Sequence, residues 1–255
     1  TGSDIPYRVQ DVEYGRRFLV KLWNVAGFAS NLLASYDPKA EQAMELQLLD
    51  KWIISKTEKL TNEVTQAFEK CQFNIALEAI RNFTWHVFCD FYVEAVKDRL
   101  YRPEVYGKAN AAAAQHTLYE VLYRLLQLVA PVTPHMTEEI YQYMYKDSKG
   151  YQSIQVSAWP QYNTALVDEA AEKDGDLVTA VMSEIRRDKA EKKLPLNAPI
   201  KNLTIYAADP AAVKALQQGC VDIAATLKIE KTAVVAEKGE GRQVAQYEVT
   251  IKPEY

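Results

Sequence analysis

The sequence predicts a mostly α protein, a helical bundle over residues 1–163 followed by a small α/β unit with a long leading helix over 164–255. Three observations carry this. Apolar residues recur at helical spacing in successive long segments of the first part. The stretch 73–100 is apolar almost all round, as a helix enclosed by other helices must be. After residue 200 the apolar period drops to two.

Taken in order, Phe18, Leu22, Val25, Ala29 and Leu32 recur at four-three spacing and line one face of an opening helix. Asp37-Pro38 marks a turn. Leu46, Leu49, Ile53, Leu60, Val64 and Phe68 form a second stripe, and 73–100 is read as the centre of the bundle. The alanine cluster 111–114 favours helix. Leu118, Leu122, Leu125 and Val129 make a fourth stripe, which "APVTPH" stops because the residue before proline avoids helical geometry. Thr133 reads as the N-cap of a fifth helix, with Pro134 at its first position, Glu138 and Glu139 nearby, and its end near Tyr145.

The character changes after "VSAWPQYN" at 156–163. A helix over 167–193 carries Leu177, Val181 and Ile185, and Pro195 follows it. "NLTIYA" alternates Leu203, Ile205 and Ala207 as a strand does. Asp209-Pro210 starts a short helix that Gly219 is expected to end, with a second small helix over 221–228. The run "TAVV", the turn "KGEG" and the segment "YEVTI", with Tyr247, Val249 and Ile251 on one face, complete a unit of three strands.

Composition narrows the function classes. With 48% hydrophobic and 25% charged residues the chain reads as an ordered, soluble protein. A net charge of −4 argues against non-specific coating of nucleic acid, which needs clustered cations, but leaves a local, shape-dependent RNA contact open. Cys71, Cys89 and Cys220 are far apart and odd in number, which points to a reducing, cytoplasmic setting rather than a disulfide framework. No signal-like amino terminus is expected, and the most apolar stretch, 82–89, is too short to span a bilayer.

No self-contained active site emerges, so no catalytic residue and no metal ligand is assigned. His86, His116 and His135 lack the spacing of a helical zinc pair, and there is no glycine-rich phosphate loop or nucleophile elbow. His86 is expected to be a hydrogen-bonded core histidine. Asp90 and Glu94 are expected to pair with Lys97, Arg99 or cations of other helices.

Two cation-rich faces remain. On the opening helix Arg17, Lys21, Asn24, Phe28 and Asn31 form a line one residue off the apolar stripe. A flat ring between groups able to hold phosphate or base edges suits an unpaired RNA loop. A solvated helix face has the same pattern and is the simpler reading of these residues by themselves. The second face is "EIRRDKAEKK", where Arg186, Lys189 and Lys193 align; Glu184, Asp188 and Glu191 offset the charge, so a self-paired surface helix is again the simpler reading.

Several stretches, in order, resemble the region that follows the catalytic domain of valyl-tRNA synthetases of the archaeal type: "TGSD.P", "GRRFLVKLWNVAGF", "LLDKWIISK", "FCDFYVEAVKDRLY", "LLQLVAPVTPHMTEEIY" and "SEIRRDKAEKKLPLNAPI". "APVTPHMTEEIY" is common to valyl, isoleucyl and leucyl enzymes, whereas the fourth and last stretches favour the valyl branch. The resemblance covers residues 1–200, and the α/β tail resembles that type's carboxyl-terminal unit through less specific motifs.

The resemblance implies that the bundle is an anticodon-binding domain that docks the anticodon stem-loop of tRNA, valine tRNA in this reading. It also implies an upstream catalytic domain of the same parent chain, which activates valine with ATP and Mg2+. The His-Ile-Gly-His and Lys-Met-Ser-Lys-Ser type signatures of that domain do not occur here, so this chain is expected to bind tRNA without chemistry and to need no cofactor of its own. The family's stretch is commonly "KLWNxxRF", with its helix against the anticodon. That implies Lys21, Asn24 and Phe28 at the RNA surface, Leu22 in the core and Trp23 in the core or at its rim. Gly27 stands where the family often has arginine, so a guanidinium fork is missing. Either Gly27 admits the RNA closer to the backbone, or Arg16 or Arg17 supplies the contact. The expected tRNA-binding set is thus Arg16, Arg17, Lys21, Asn24, Phe28 and Asn31, with Arg186, Lys189 and Lys193 as a second group. The rivals are the same region of an isoleucyl or leucyl enzyme, or a helical protein-interaction scaffold.

Overall fold

A computed structural model describes residues 7–40 and 43–255. The opening "TGSD.P" motif therefore lies outside the described residues. The chain divides into two compact units, and no described helix is long and apolar enough to cross a membrane.

The elements in chain order are α1 (Val9–Leu32), α2 (Leu48–Glu69), α3 (Phe73–Asn82), a π-helical segment (Phe83–Val93), α4 (Glu94–Tyr101), α5 (Pro103–Tyr106), α6 (Lys108–Val129), α7 (Pro134–Met144) and α8 (Lys146–Lys149). After two 3-10 turns come α9 (Glu169–Glu191), β1 (Ile200–Ala207), α10 (Pro210–Leu227), β2 (Ile229–Val235), β3 (Arg242–Gln243) and β4 (Val249–Glu254).

The first unit takes in α1, Ile53–Val93 and Arg99–Val167. The α1 stripe is buried as the periodicity requires, from Phe18 through Leu22, Val25 and Ala29 to Leu32, and it packs on α6, α7 and the π-helical segment. In α6 the four alanines 111–114 and Leu118, Leu122, Leu125 and Val129 are all buried. Trp159 donates its indole N–H to Thr65 Oγ1 at 2.9 Å, and Arg124 sits 3.4 Å from the buried Glu58 carboxylate, which ties the loop after α8 and the middle of α6 to α2. Pro134 opens α7 as predicted, but Thr133 does not cap it: its hydroxyl donates backward to Val129 O at 3.3 Å.

The stretch 73–100 is helical but is not one uniform helix. Over Phe83–Val93 it widens into π-helix, and buried Phe83, Phe88 and Val93, with Thr84 and Cys89, recur at intervals of five. That register turns His86 outward, with 68% of its side chain exposed and Nδ1 3.4 Å from Asp90 Oδ2. The expectation of a core histidine is thus corrected, because a period of five moves position 86 off the buried face.

The second unit takes in Leu46–Trp52, Glu94–Asp98 and Asp168–Tyr255. Within it Glu94 pairs with Lys97, as expected. Asp168 caps α9 by accepting from Ala171 N at 2.9 Å. The sheet has four strands in the order β2-β1-β4-β3, one more than the sequence predicts, because the two-residue β3 pairs with β4 beside the "KGEG" turn. β1 and β2 run parallel, joined by α10, and β4 is antiparallel to both β1 and β3. Leu203, Ile205 and Ala207 of β1 face inward with Val249 and Ile251 of β4, and α9 and α10 pack against that sheet.

One helix, α10, replaces the two short ones expected over 210–228. Gly219 does not end it. A Cβ there would lie 2.4 Å from Val178 Cγ2, so this glycine serves the close approach of α10 to α9. The stop comes at Lys228, whose φ of 56° is left-handed.

Candidate nucleic-acid interface

The α1 stripe fixes the rotation of the helix, and so fixes what it leaves outside. Arg17, Asn24 and Asn31 are exposed, while Lys21 and Phe28 are half-buried at the border of the same surface. The line read from the sequence therefore lies on one outward face.

Its centre is organised by the π-helical segment, where Asp90 pairs with a cation of another helix as expected, while the place of Trp85 beside that cation was not foreseen. Lys21 Nζ donates to Asp90 Oδ1 at 3.2 Å and lies 5.3 Å from the centroid of the Trp85 ring. His86 reaches the other oxygen of Asp90. The π-helical register presents Trp85, His86 and Asp90 to α1 together, and the only advance signal was the five-residue recurrence of its buried side chains. Arg16, Arg17, Val20, Lys21, Asn24 and Trp85 line an open recess of about 310 Å³.

The cations here differ in readiness. Arg16 is held by Glu13 at 3.1 Å. Among the described residues Arg17 has no hydrogen-bond or ion-pair partner, so its exposed guanidinium is placed to take a phosphate. Lys21 is already partnered, so an incoming phosphate competes with Asp90 for it. Phe28 meets Tyr101 edge-on, ring centroids 6.5 Å apart. Asn24 supplies an amide with donors and an acceptor for a base edge. Together these groups can hold a phosphate, stack a base and read an edge, the combination that unpaired RNA requires.

The second predicted group is not brought together. Lys189 is fully buried, and its ammonium donates to the carbonyls of Leu196 at 3.0 Å, Ala198 at 2.7 Å and Leu227 at 3.0 Å. Three acceptors match the three N–H groups of a charged lysine, although burial pushes its pKa below the ordinary value. Lys189 is therefore removed from the RNA-binding set: it is a structural tie and cannot reach a ligand. Lys193 lies beyond the end of α9 with a left-handed φ of 56°, so it no longer aligns with half-buried Arg186.

The acidic residues of the same stretch are tied mainly by a residue far off in sequence. Arg242 of β3 pairs with Glu184, with Asp188 at 3.3 Å and with Glu191 at 2.6 Å. Hydrogen bonds from Arg242 hold the Glu191 pKa down at about 2. Burial raises the Asp188 carboxyl, but hydrogen bonds from Tyr255 and Lys192 outweigh it and leave the pKa below the ordinary value.

A family model described as the anticodon-binding domain of tRNA ligase matches residues 50–205. The valine–tRNA ligase of Pyrococcus furiosus is 38% identical over 255 residues, all of this chain and 28% of the relative. That of Methanothermobacter thermautotrophicus is 41% identical over 239 residues, 94% of this chain and 26% of the relative. That of Methanopyrus kandleri is 32% identical over 234 residues, 91% of this chain and 25% of the relative. The chain thus spans little more than a quarter of the length of the curated relatives it matches.

Proposed function

The chain belongs to the family of anticodon-binding domains of tRNA ligases, and from that premise we propose that it recognises the anticodon stem-loop of valine tRNA on behalf of a valine–tRNA ligase. The observation that carries this is the outward α1 face, where Arg17, Lys21 and Asn24 share a recess with Trp85, Lys21 meets Asp90, and Phe28 borders the same face against Tyr101. Phosphate contacts there position the loop, and the amide and rings discriminate its bases. The bundle supplies binding energy and identity, and holds the tRNA so that its distant acceptor end meets the catalytic part of the parent protein. Valine activation with ATP and Mg2+ belongs to that part, and the work is cytoplasmic. The similarity to valine–tRNA ligases over nearly the whole chain supports the choice of tRNA.

The test is a gel shift at physiological salt with labelled valine tRNA, competed by unlabelled valine, isoleucine and leucine tRNAs. Valine tRNA is expected to displace the label at the lowest concentration. Better displacement by either of the others would move the domain to another branch, and no shift with any tRNA would remove the function.

A further inference from the structure

The register that brings Asp90 to α1 brings His86 with it, a residue outside the tRNA-binding set expected from the sequence. Lys21 and His86 share the Asp90 carboxylate: Lys21 Nζ donates to Oδ1 at 3.2 Å, and His86 Nδ1 lies 3.4 Å from Oδ2. The ammonium and the imidazole are thus held within the span of one carboxylate, and 68% of the His86 side chain is exposed. Between them stands Trp85, its ring centroid 5.3 Å from Lys21 Nζ and 6.3 Å from that of His86.

A ring nitrogen that faces a carboxylate carries the hydrogen, because two acceptors would repel each other. In the neutral imidazole that leaves Nε2 of His86 as a bare lone pair, which turns a phosphate oxygen away. A second proton makes Nε2 an N–H donor and sets a positive charge beside Lys21. The side chain therefore offers a phosphate nothing in one state and a charge-assisted hydrogen bond in the other.

The surrounding charges do not change in step with it. From α1 they are Lys21, Arg17 and Arg16, the last tied to Glu13; from α3 they are Arg81, 4.4 Å from the Tyr14 ring centroid, and Glu78, 3.9 Å from Arg81. Asp90 completes the set. Lysine, arginine and carboxylate side chains hold their charge between about pH 5.5 and about pH 8, whereas histidine changes its own within that window.

We propose that His86 is a further ligand of the RNA backbone on this face, that it takes a phosphate oxygen through Nε2 only as the imidazolium, and that RNA binding therefore draws a proton from solution. This rests on the RNA-binding reading of α1. A phosphate brought in beside Arg17 competes with Asp90 for Lys21, and its negative charge favours the imidazolium. The imidazolium then holds the phosphate on one side and the carboxylate that Lys21 has released on the other. Linkage is reciprocal, so acidification tightens RNA binding to the same extent that RNA tightens the proton.

The probe is the anticodon stem-loop hairpin of valine tRNA, titrated calorimetrically into the 255-residue chain at fixed salt from about pH 8 to about pH 5.5, and near neutral pH in two buffers of different protonation enthalpy. Affinity is expected to rise about tenfold on acidification, the scale of one charge-assisted hydrogen bond, and the heats in the two buffers should differ as proton uptake requires. His86→Ala should bind at every pH as the wild type does at the alkaline end, with the buffer difference abolished. His86→Lys, charged throughout, should bind tightly at every pH, which a merely structural role for the imidazole would not allow. His116→Gln, at a histidine bonded to Tyr36 instead, should keep the full pH dependence. Circular dichroism of each variant checks that the helices are retained. If the hairpin binds and the wild type shows no tightening on acidification, or His86→Ala still shows it, His86 is not a ligand and the cation-lined face stands without it. If the wild type binds no hairpin at any pH, the RNA reading and the proton link fall together.

Discussion

Lys21 Nζ donates to Asp90 Oδ1 across 3.2 Å, which ties the outward face of α1 to the π-helical segment and places the one ammonium at the centre of that face beside a carboxylate. On the proposed function an RNA phosphate competes with that carboxylate for the Lys21 ammonium. Asp90→Asn is therefore expected to tighten tRNA binding several-fold, whereas Lys21→Ala should weaken it and lower the slope of log K against log salt by about 1. Anisotropy titrations over a series of salt concentrations read both effects, and an unchanged slope in Lys21→Ala would take the ammonium out of the interface.

Phe28 borders the same surface, half-buried, with one edge on Tyr101. If a base stacks on its exposed part, Phe28→Ala costs about 1–3 kcal/mol of binding with the fold retained. Circular dichroism alongside the titration distinguishes the outcomes: lost helicity would make Phe28 a packing residue only.

Lys189 makes the opposite prediction. Lys189→Met leaves the carbonyls of Leu196, Ala198 and Leu227 without their donor and should destabilise the second unit by on the order of 3 kcal/mol. Denaturant unfolding measures the loss, and tRNA affinity below the transition should match the wild type.

Two glycines on helices should respond in opposite senses to the same substitution. Gly219→Ala meets Val178 at 2.4 Å and should cost about 1–3 kcal/mol despite alanine's better helix propensity. Gly27→Ala has open space around it and should gain about 0.5–1 kcal/mol. Melting temperatures of the two variants check the pair.

Acid sensitivity follows from Arg242. The Glu191 pKa in the folded protein, about 2, lies below its ordinary value of 4.5, and Asp188 is shifted the same way. Depressed carboxylate pKa values contribute stability that is fully present above the ordinary pKa and is lost as pH falls through the folded one. The melting temperature should therefore decline as pH drops from about 4.5 toward 2, and Arg242→Leu should lower it at neutral pH while flattening that decline.

The contrast between these residues shows what a sequence exposes and what it hides. The α1 stripe was legible because helical rotation alone decides which side chains go inward, and with Phe18, Leu22 and Val25 buried the line through Arg17, Asn24 and Asn31 has to face out. That Asp90 would meet a cation of another helix was legible, but not that the cation is Lys21 or that Trp85 joins them, since a π-helical segment breaks the 3.6-residue period used to place them. Lys189 was misplaced because one of the carbonyls that bury it, Leu227, lies 38 residues away. Gly219 was misread as a stop because its reason is Val178 on another helix. Local pattern sets element type and face; contacts between distant segments decide which polar groups stay at the surface.

On the proposed function the outward face of α1 reads an anticodon loop. The most direct test of that reading is equilibrium competition, in which labelled valine tRNA bound to this chain is displaced by unlabelled valine tRNA or by the same tRNA with its anticodon bases replaced. The replaced tRNA is expected to compete about tenfold or more less well, at roughly 1–3 kcal/mol for each base misread. Equal competition by the two would show that the chain grips tRNA without reading the anticodon, and would contradict it.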